Sequence, residues 1–155
     1  MTRYLVAAAL AGLLASTVSA DTHARPTTPR WRGGEGGLTF MADGSHFSPI
    51  AFQCERGEVI ASVPSPDDPQ VDDFIYAGVA LRSGKRTGHY RAKVVHGDLD
   101  APFFEFKTTL RDPVIQAFRT TGRISVRDDP ELVARTKSER KLIERFFAAC
   151  RQTSH

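Results

Sequence analysis

The chain has 155 residues, 41% of them hydrophobic, with 21 Lys+Arg against 18 Asp+Glu and a formal net charge of +3. That length suits one domain with a single moderate core. The charge excess is too small for a protein that binds nucleic acid or anionic membranes through bulk charge.

The first twenty residues read as a secretory signal peptide: Arg3 is the positive end, Tyr4 to Leu14 the apolar run, and Val18-Ser19-Ala20 the small residues a signal peptidase reads. Cleavage is expected before Asp21, which removes Arg3 and leaves 20 Lys+Arg against 18 Asp+Glu. The apolar run is too short to span a bilayer comfortably. The expected mature protein is therefore periplasmic or secreted, with no transmembrane segment.

Residues 21–37 hold two prolines and four glycines and read as a flexible N-terminal arm, with Trp31 marking where it meets the domain. A single β-rich domain is expected over 38–155. Its first strands are 38–41, then 50–54 and 59–63, the last two joined by a turn at Glu55-Arg56-Gly57. A proline-rich stretch at 64–69 reads as a loop no strand can cross. Residues 74–81 read as a further strand, 82–88 as a loop, and 89–95 as a strand with Tyr90, Ala92 and Val94 on one side and Arg91, Lys93 and Val95 on the other. Asp98, Asp100 and Pro102 mark a connection to a strand at 103–108, which puts Phe104 and Phe106 on one face.

Helix signals follow. Asp112-Pro113 reads as an N-cap with proline at the first helical position, and Gly122 as the stop. Residues 123–127 read as the last strand. A second helix starts either at Asp129-Pro130 or at the capping box formed by Thr136 and Glu139, and carries Leu142, Ile143, Phe146, Phe147 and Cys150 at helical spacing. Strands first and helices last predict a mainly β (α+β) fold: an antiparallel sandwich or barrel-like core with a short helix and a C-terminal helix.

Cys54 and Cys150 are the only cysteines. An oxidising compartment favours their pairing, and two cysteines allow one intramolecular bond. It would staple the terminal helix to the sheet.

Charge is unevenly spread. Residues 35–80 carry eight acids and one base, Arg56, whereas residues 111–151 carry ten bases and six acids. Asp67, Asp68, Asp72 and Asp73 lack the EF-hand pattern and read as a solvated acidic loop. His46, His89 and His96 have no metal-ligand spacing. The chain carries no GxSxG, SxxK or P-loop frame. Neither a cofactor nor an enzymatic activity is expected, and the reading is a non-enzymatic protein that binds a protein partner or gives structural support in the envelope. The 82–88 loop gathers Arg82, Lys85 and Arg86 on flexible backbone, where an acidic partner could dock.

The stretch Phe52-Gln53-Cys54-Glu55-Arg56-Gly57-Glu58-Val59, then Tyr90-Arg91-Ala92-Lys93, Asp112-Pro113-Val114-Ile115, Gly122-Arg123-Ile124-Ser125-Val126 and a helix ending at Cys150, resembles small exported proteins associated with type VI secretion and the invasion-associated locus B group. The resemblance implies a non-enzymatic envelope protein. Separately, Thr87-Gly88-His89-Tyr90 after a basic loop resembles the S-G-x-x-Y stretch of periplasmic c-type lysozyme inhibitors. That second resemblance implies an inhibitor or immunity protein against a cell-wall hydrolase such as lysozyme. It adds His89 and Tyr90 to Arg82, Lys85 and Arg86 as partner-binding residues.

Exported material should begin at Asp21 or within a residue or two of it. N-terminal sequencing that still reads Met1 would overturn the signal-peptide reading.

Overall fold

A computed structural model describes residues 28–34, 36–65, 76–96 and 102–152. Nine strands and two helices follow in chain order. They are β1 (Arg30–Gly33), β2 (Gly37–Met41), β3 (Ala51–Glu55), β4 (Glu58–Pro64), β5 (Tyr76–Ser83), β6 (Arg86–His96), β7 (Pro102–Thr109), α1 (Pro113–Thr121), β8 (Arg123–Val126), β9 (Leu132–Val133) and α2 (Lys137–Gln152). Every pairing is antiparallel, in the order β1-β2-β3-β4-β7-β6-β5-β8-β9, and the sheet curls until it is nearly closed. No helix among the described residues is long and apolar enough to cross a membrane.

Two tight turns fix the register of the hairpins. Between β3 and β4 both central residues, Arg56 (φ 51°) and Gly57 (φ 80°), take positive φ. This is the twist that suits a two-residue hairpin. Between β5 and β6 only Gly84 does, at φ 57°. Ser83 pairs with Arg86 across that turn, so only Gly84 and Lys85 lie outside the ladder. The 82–88 segment is therefore not the loop its composition suggested. Arg82 and Ser83 belong to β5, and Arg86, Thr87 and Gly88 belong to β6. A tight turn needs few special residues, and strands tolerate polar side chains that face water.

The N-terminal segment also differs from expectation. Arg30–Gly33, assigned by composition to the arm, forms β1, pairing with β2 from Arg30↔Met41 to Gly33↔Leu38. Trp31 is 1% exposed and belongs to the core. Residues 66–75, with the acidic loop, and 97–101, with Asp98 and Asp100, lie outside the described residues, as does the signal segment.

Both helices pack on the concave side of the sheet. Asp112 caps α1, its Oδ1 accepting from the N–H groups of Val114 (2.8 Å) and Ile115 (3.2 Å), and Pro113 opens the first turn. Gly122 closes the helix in the left-handed conformation at φ 68°, donating to the Phe118 carbonyl. Of the two expected starts for α2, the capping box is the one used: Glu139 N–H donates to Thr136 Oγ1 at 3.2 Å, and Thr136 N–H donates to Glu139 Oε2 at 2.9 Å. Asp129-Pro130 instead leads into β9, whose exit is held by Ala134 N–H on the Gly122 carbonyl.

One hydrophobic core joins sheet and helices. Its centre is aromatic. Trp31 lies 4.9 Å from Phe118 and 5.2 Å from Phe40 by ring centroid, and Phe118 in turn lies 5.5 Å from Phe52 and 6.0 Å from Phe147. The expected stripe on α2 is buried at Ile143, Phe146, Phe147 and Cys150. Cys54 and Cys150 form the expected disulfide, with Cα atoms 5.3 Å apart and a sequence separation of 96. It ties the last turns of α2 to β3.

Cys150→Ala should destabilise the protein by about 2–5 kcal/mol, the usual cost of losing a native bridge in a small domain. Denaturant midpoints check this. Finding two reactive thiols in the unfolded, unreduced wild type would contradict the bond.

Candidate functional site

Strand alternation sorts the sheet into a buried concave face and a solvent-facing convex one. On the convex face, charge changes along the strand order. Glu58 on β4 meets Lys107 on β7 at 3.0 Å, and Glu105 on β7 meets Lys93 on β6 at 3.0 Å. Glu58 also holds the Lys107 ammonium above its ordinary pKa through the hydrogen bond and its charge. Among the described residues, carboxylates then stop. The remaining outward positions of β6 are Thr87, His89, Arg91 and Val95, and those of β5 are Tyr76, Gly78, Ala80 and Arg82. Among the described residues, Arg82, Lys85, Arg86 and Arg91 pair with no carboxylate. Arg91 lies over the Tyr76 ring, its guanidinium carbon 3.9 Å from the ring centroid. Tyr76 is 58% exposed, so this cation–π pair is presented to solvent. The face is cationic and aromatic, with a shallow floor at Gly78 and Ala80.

The five residues singled out from sequence do not all meet here. Arg82 and His89 project from the convex face, and Lys85 sits at the turn tip. Arg86 has the opposite parity, sharing its side of β6 with Gly88 and Tyr90, and is exposed at the strand end. Tyr90 is directed inward and is partly buried against the core. Its ring stacks on Phe106 at 4.5 Å, and its hydroxyl donates to Asp112 Oδ1 at 3.0 Å, the same oxygen that caps α1. Burial first, then that hydrogen bond and the Asp112 charge, push the Tyr90 hydroxyl well above its ordinary pKa. Gly88 makes room for it, because a Cβ there would run into the Tyr90 ring. Composition did not single out Arg91 and Tyr76. The alternation of β6 placed Arg91 outward, but nothing in the sequence pairs it with Tyr76.

A second concentration of polar groups lies where β1 meets the start of α2. A cleft of about 770 Å³ opens there, lined by Arg30, Arg32, Asp43, Arg135, Ser138 and Glu139 among others. Asp43 is held by Arg32 and, at 3.2 Å, by Arg30. Glu139, 4% exposed, accepts from Trp31 N–H (3.0 Å), Arg135 N–H (2.8 Å), Thr136 N–H (2.9 Å) and Thr136 Oγ1 (3.1 Å). Its oxygens are fully engaged, so it acts as a clamp between β1 and α2. Burial pushes its carboxyl pKa up, but the hydrogen bonds from Trp31, Thr136 and Arg135 together outweigh this and hold it below its ordinary value. Cys54 Sγ is bonded to Cys150.

Comparison with protein-family models, curated proteins and solved structures finds no match.

The clamp predicts a pH dependence. The folded Glu139 pKa lies below the unfolded one, so its contribution is fully present above about pH 4.3, the ordinary glutamate value, and is lost as pH falls through the folded value. Glu139→Gln should cost about 1–3 kcal/mol at neutral pH, because backbone donors lose a charged acceptor. It should also flatten the acid limb of the stability profile. Urea midpoints measured from pH 7 downward check both.

Proposed function

We propose that this protein works outside the cytoplasm as a non-enzymatic binding protein of the cell envelope, docking an acidic protein surface on the convex face of β5 and β6. The observation that carries this reading is the run of cations on the long hairpin, Arg82, Lys85, Arg86 and Arg91, that pair with no carboxylate among the described residues. Preformed cations on a rigid scaffold steer an acidic partner and lose little entropy on docking. The disulfide fits an oxidising compartment, and the signal-peptide pattern of the first twenty residues supports export. The resemblance to secretion-associated envelope proteins points the same way.

The second reading is an inhibitor or immunity protein against a cell-wall hydrolase such as lysozyme. It keeps His89, which faces solvent, but loses Tyr90 as a contact, because that hydroxyl is committed to Asp112.

Cross-linking in intact periplasm, followed by recovery, identifies the partner. Binding of that partner by wild type should weaken as salt rises through the physiological range. The double variant Arg82→Glu/Arg91→Glu should weaken it by about tenfold or more at low salt, since each reversal adds repulsion where attraction stood. Equal binding by wild type and variant would overturn the reading. A recovered cell-wall hydrolase inhibited at equimolar protein would decide for the second one.

A further inference from the structure

The cationic face borders a sheet edge that is only partly covered. β8 has four residues and pairs with β5 at Leu81↔Val126 and Arg82↔Ser125. One more bond follows, from Arg127 N–H to the Ala80 carbonyl at 2.7 Å. Arg127 then takes φ 51°, and the chain turns away, with Asp129 N–H closing on the Val126 carbonyl. Four residues of β5, from Tyr76 to Val79, remain beyond the reach of β8. Among the described residues they have no strand partner on that side. Successive residues of a strand point their N–H and C=O to alternate edges. Because Ala80 points its carbonyl at β8, Gly78 and Tyr76 direct their backbone groups along the same open edge. Edges of this kind are commonly blunted, because they template pairing with another chain.

We infer that this open edge of β5 is where an extended acidic segment of a protein partner adds as an antiparallel strand, continuing the line of β8. The inference rests on the acidic-partner reading above and specifies how that partner is held. Strand addition draws affinity from backbone bonds and specificity from alternate side chains. A residue added opposite Gly78 shares its convex face. Gly78 has no side chain, and nothing among the described residues lies within 4 Å of the position its Cβ would take. A carboxylate there can lean over Gly78 toward Arg91, the cross-strand neighbour of Gly78 on β6. The distance is two strand spacings, roughly 10 Å, which a glutamate and an arginine span together. Residues opposite Ala77 and Val79 face the concave side, where Val79 is buried, and would be apolar. The edge thus selects alternating acidic and apolar residues over about four positions. Tyr76, exposed beside Arg91, flanks one end of this stretch.

The test uses the full mature chain and a Val-Glu-Val-Glu-Val peptide. Two methylated versions are compared, one at the glutamate nitrogens, which face β5, and one at the valine nitrogens, which face away. Unmodified and valine-methylated peptides should bind alike, and glutamate methylation should weaken binding about tenfold, because the inter-strand bonds are lost. Hydrogen exchange should slow at the Gly78 amide on binding. Gly78→Pro, which removes that donor from an edge position where proline is tolerated, should weaken the unmodified peptide similarly. If all three peptides bind alike and only salt weakens them, strand addition is overturned while the cationic face stands. If none binds, the edge is overturned, and the charge-reversal result with the recovered partner decides separately on the face. A concentration-dependent dimer protecting Gly78 without peptide would assign the edge to a second copy of the chain. Binding that appears only after Asp67, Asp68, Asp72 and Asp73 are changed to Asn would assign it to the chain's own acidic segment. Either result overturns the inference.

Discussion

A carboxylate buried in an apolar interior is costly unless nearly every lone pair finds a donor. Glu139 meets that condition with donors from two parts of the chain that are far apart in sequence. Thr136 and Arg135 come from the start of its own helix, and Trp31 N–H comes from a strand 108 residues earlier. The strand it holds is only four residues long and pairs on one side with β2. Without the clamp, the other side of β1 would expose the Trp31 N–H at a buried edge. Yet β1 supplies the largest side chain of the core, and Trp31 touches aromatic rings from β2, β3 and α1. The curl of the sheet, the seating of α2 and the aromatic centre therefore depend on one charged group placed in the first turn of the helix.

The proposed docking face is independent of that machinery. Arg82 and Arg91 lie at positions that alternation sends outward, while Tyr90, one residue from His89, is used to join β6 to the cap of α1. Asp112 serves two partners at once, its Oδ1 receiving both the Tyr90 hydroxyl and the first helical N–H groups. A network of this kind fixes the height of α1 over β6, so the hairpin that carries Arg82, His89 and Arg91 has a rigid back. The convex side is then free to carry charge with little effect on packing.

Much of this was legible in the sequence where the local chemistry was strong. Asp112-Pro113 and Gly122 bracket α1 because a side-chain cap, a fixed φ and a left-handed glycine each act within one turn of backbone. The strip from Leu142 to Cys150 was readable because a helix buries every third or fourth residue. The sequence misled where the decisive interaction is distant or composition is ambiguous. Trp31 sits between proline- and glycine-rich stretches, and it is pairing with β2, the Glu139 acceptor and the aromatic cluster that make a strand of it. The polar run at 82–88 reads as a loop, yet register is decided by Gly84 alone. The candidate site was half visible. Arg82 was singled out by the basic run it belongs to and Arg91 was sent outward by alternation, whereas the stacking of Arg91 on Tyr76 depends on which residues the hairpin register sets diagonally across from one another.

The two long-range closures also set an order in time. Trp31 waits for Glu139, 108 residues later, and Cys54 waits for Cys150, 96 residues later. Hairpins such as β3–β4 and β5–β6 join neighbouring segments and need little loop closure, so they can form while the chain is incomplete. A chain emerging N-terminus first would therefore carry Trp31, Phe40 and Phe52 without helical cover until Phe118 of α1 arrives, and with only part of that cover until α2 follows. Through that interval it is a partly formed sheet with an uncovered aromatic face, the kind of species prone to aggregate or to need a holding chaperone. Completion of the last sixteen-residue helix is what ends its exposure.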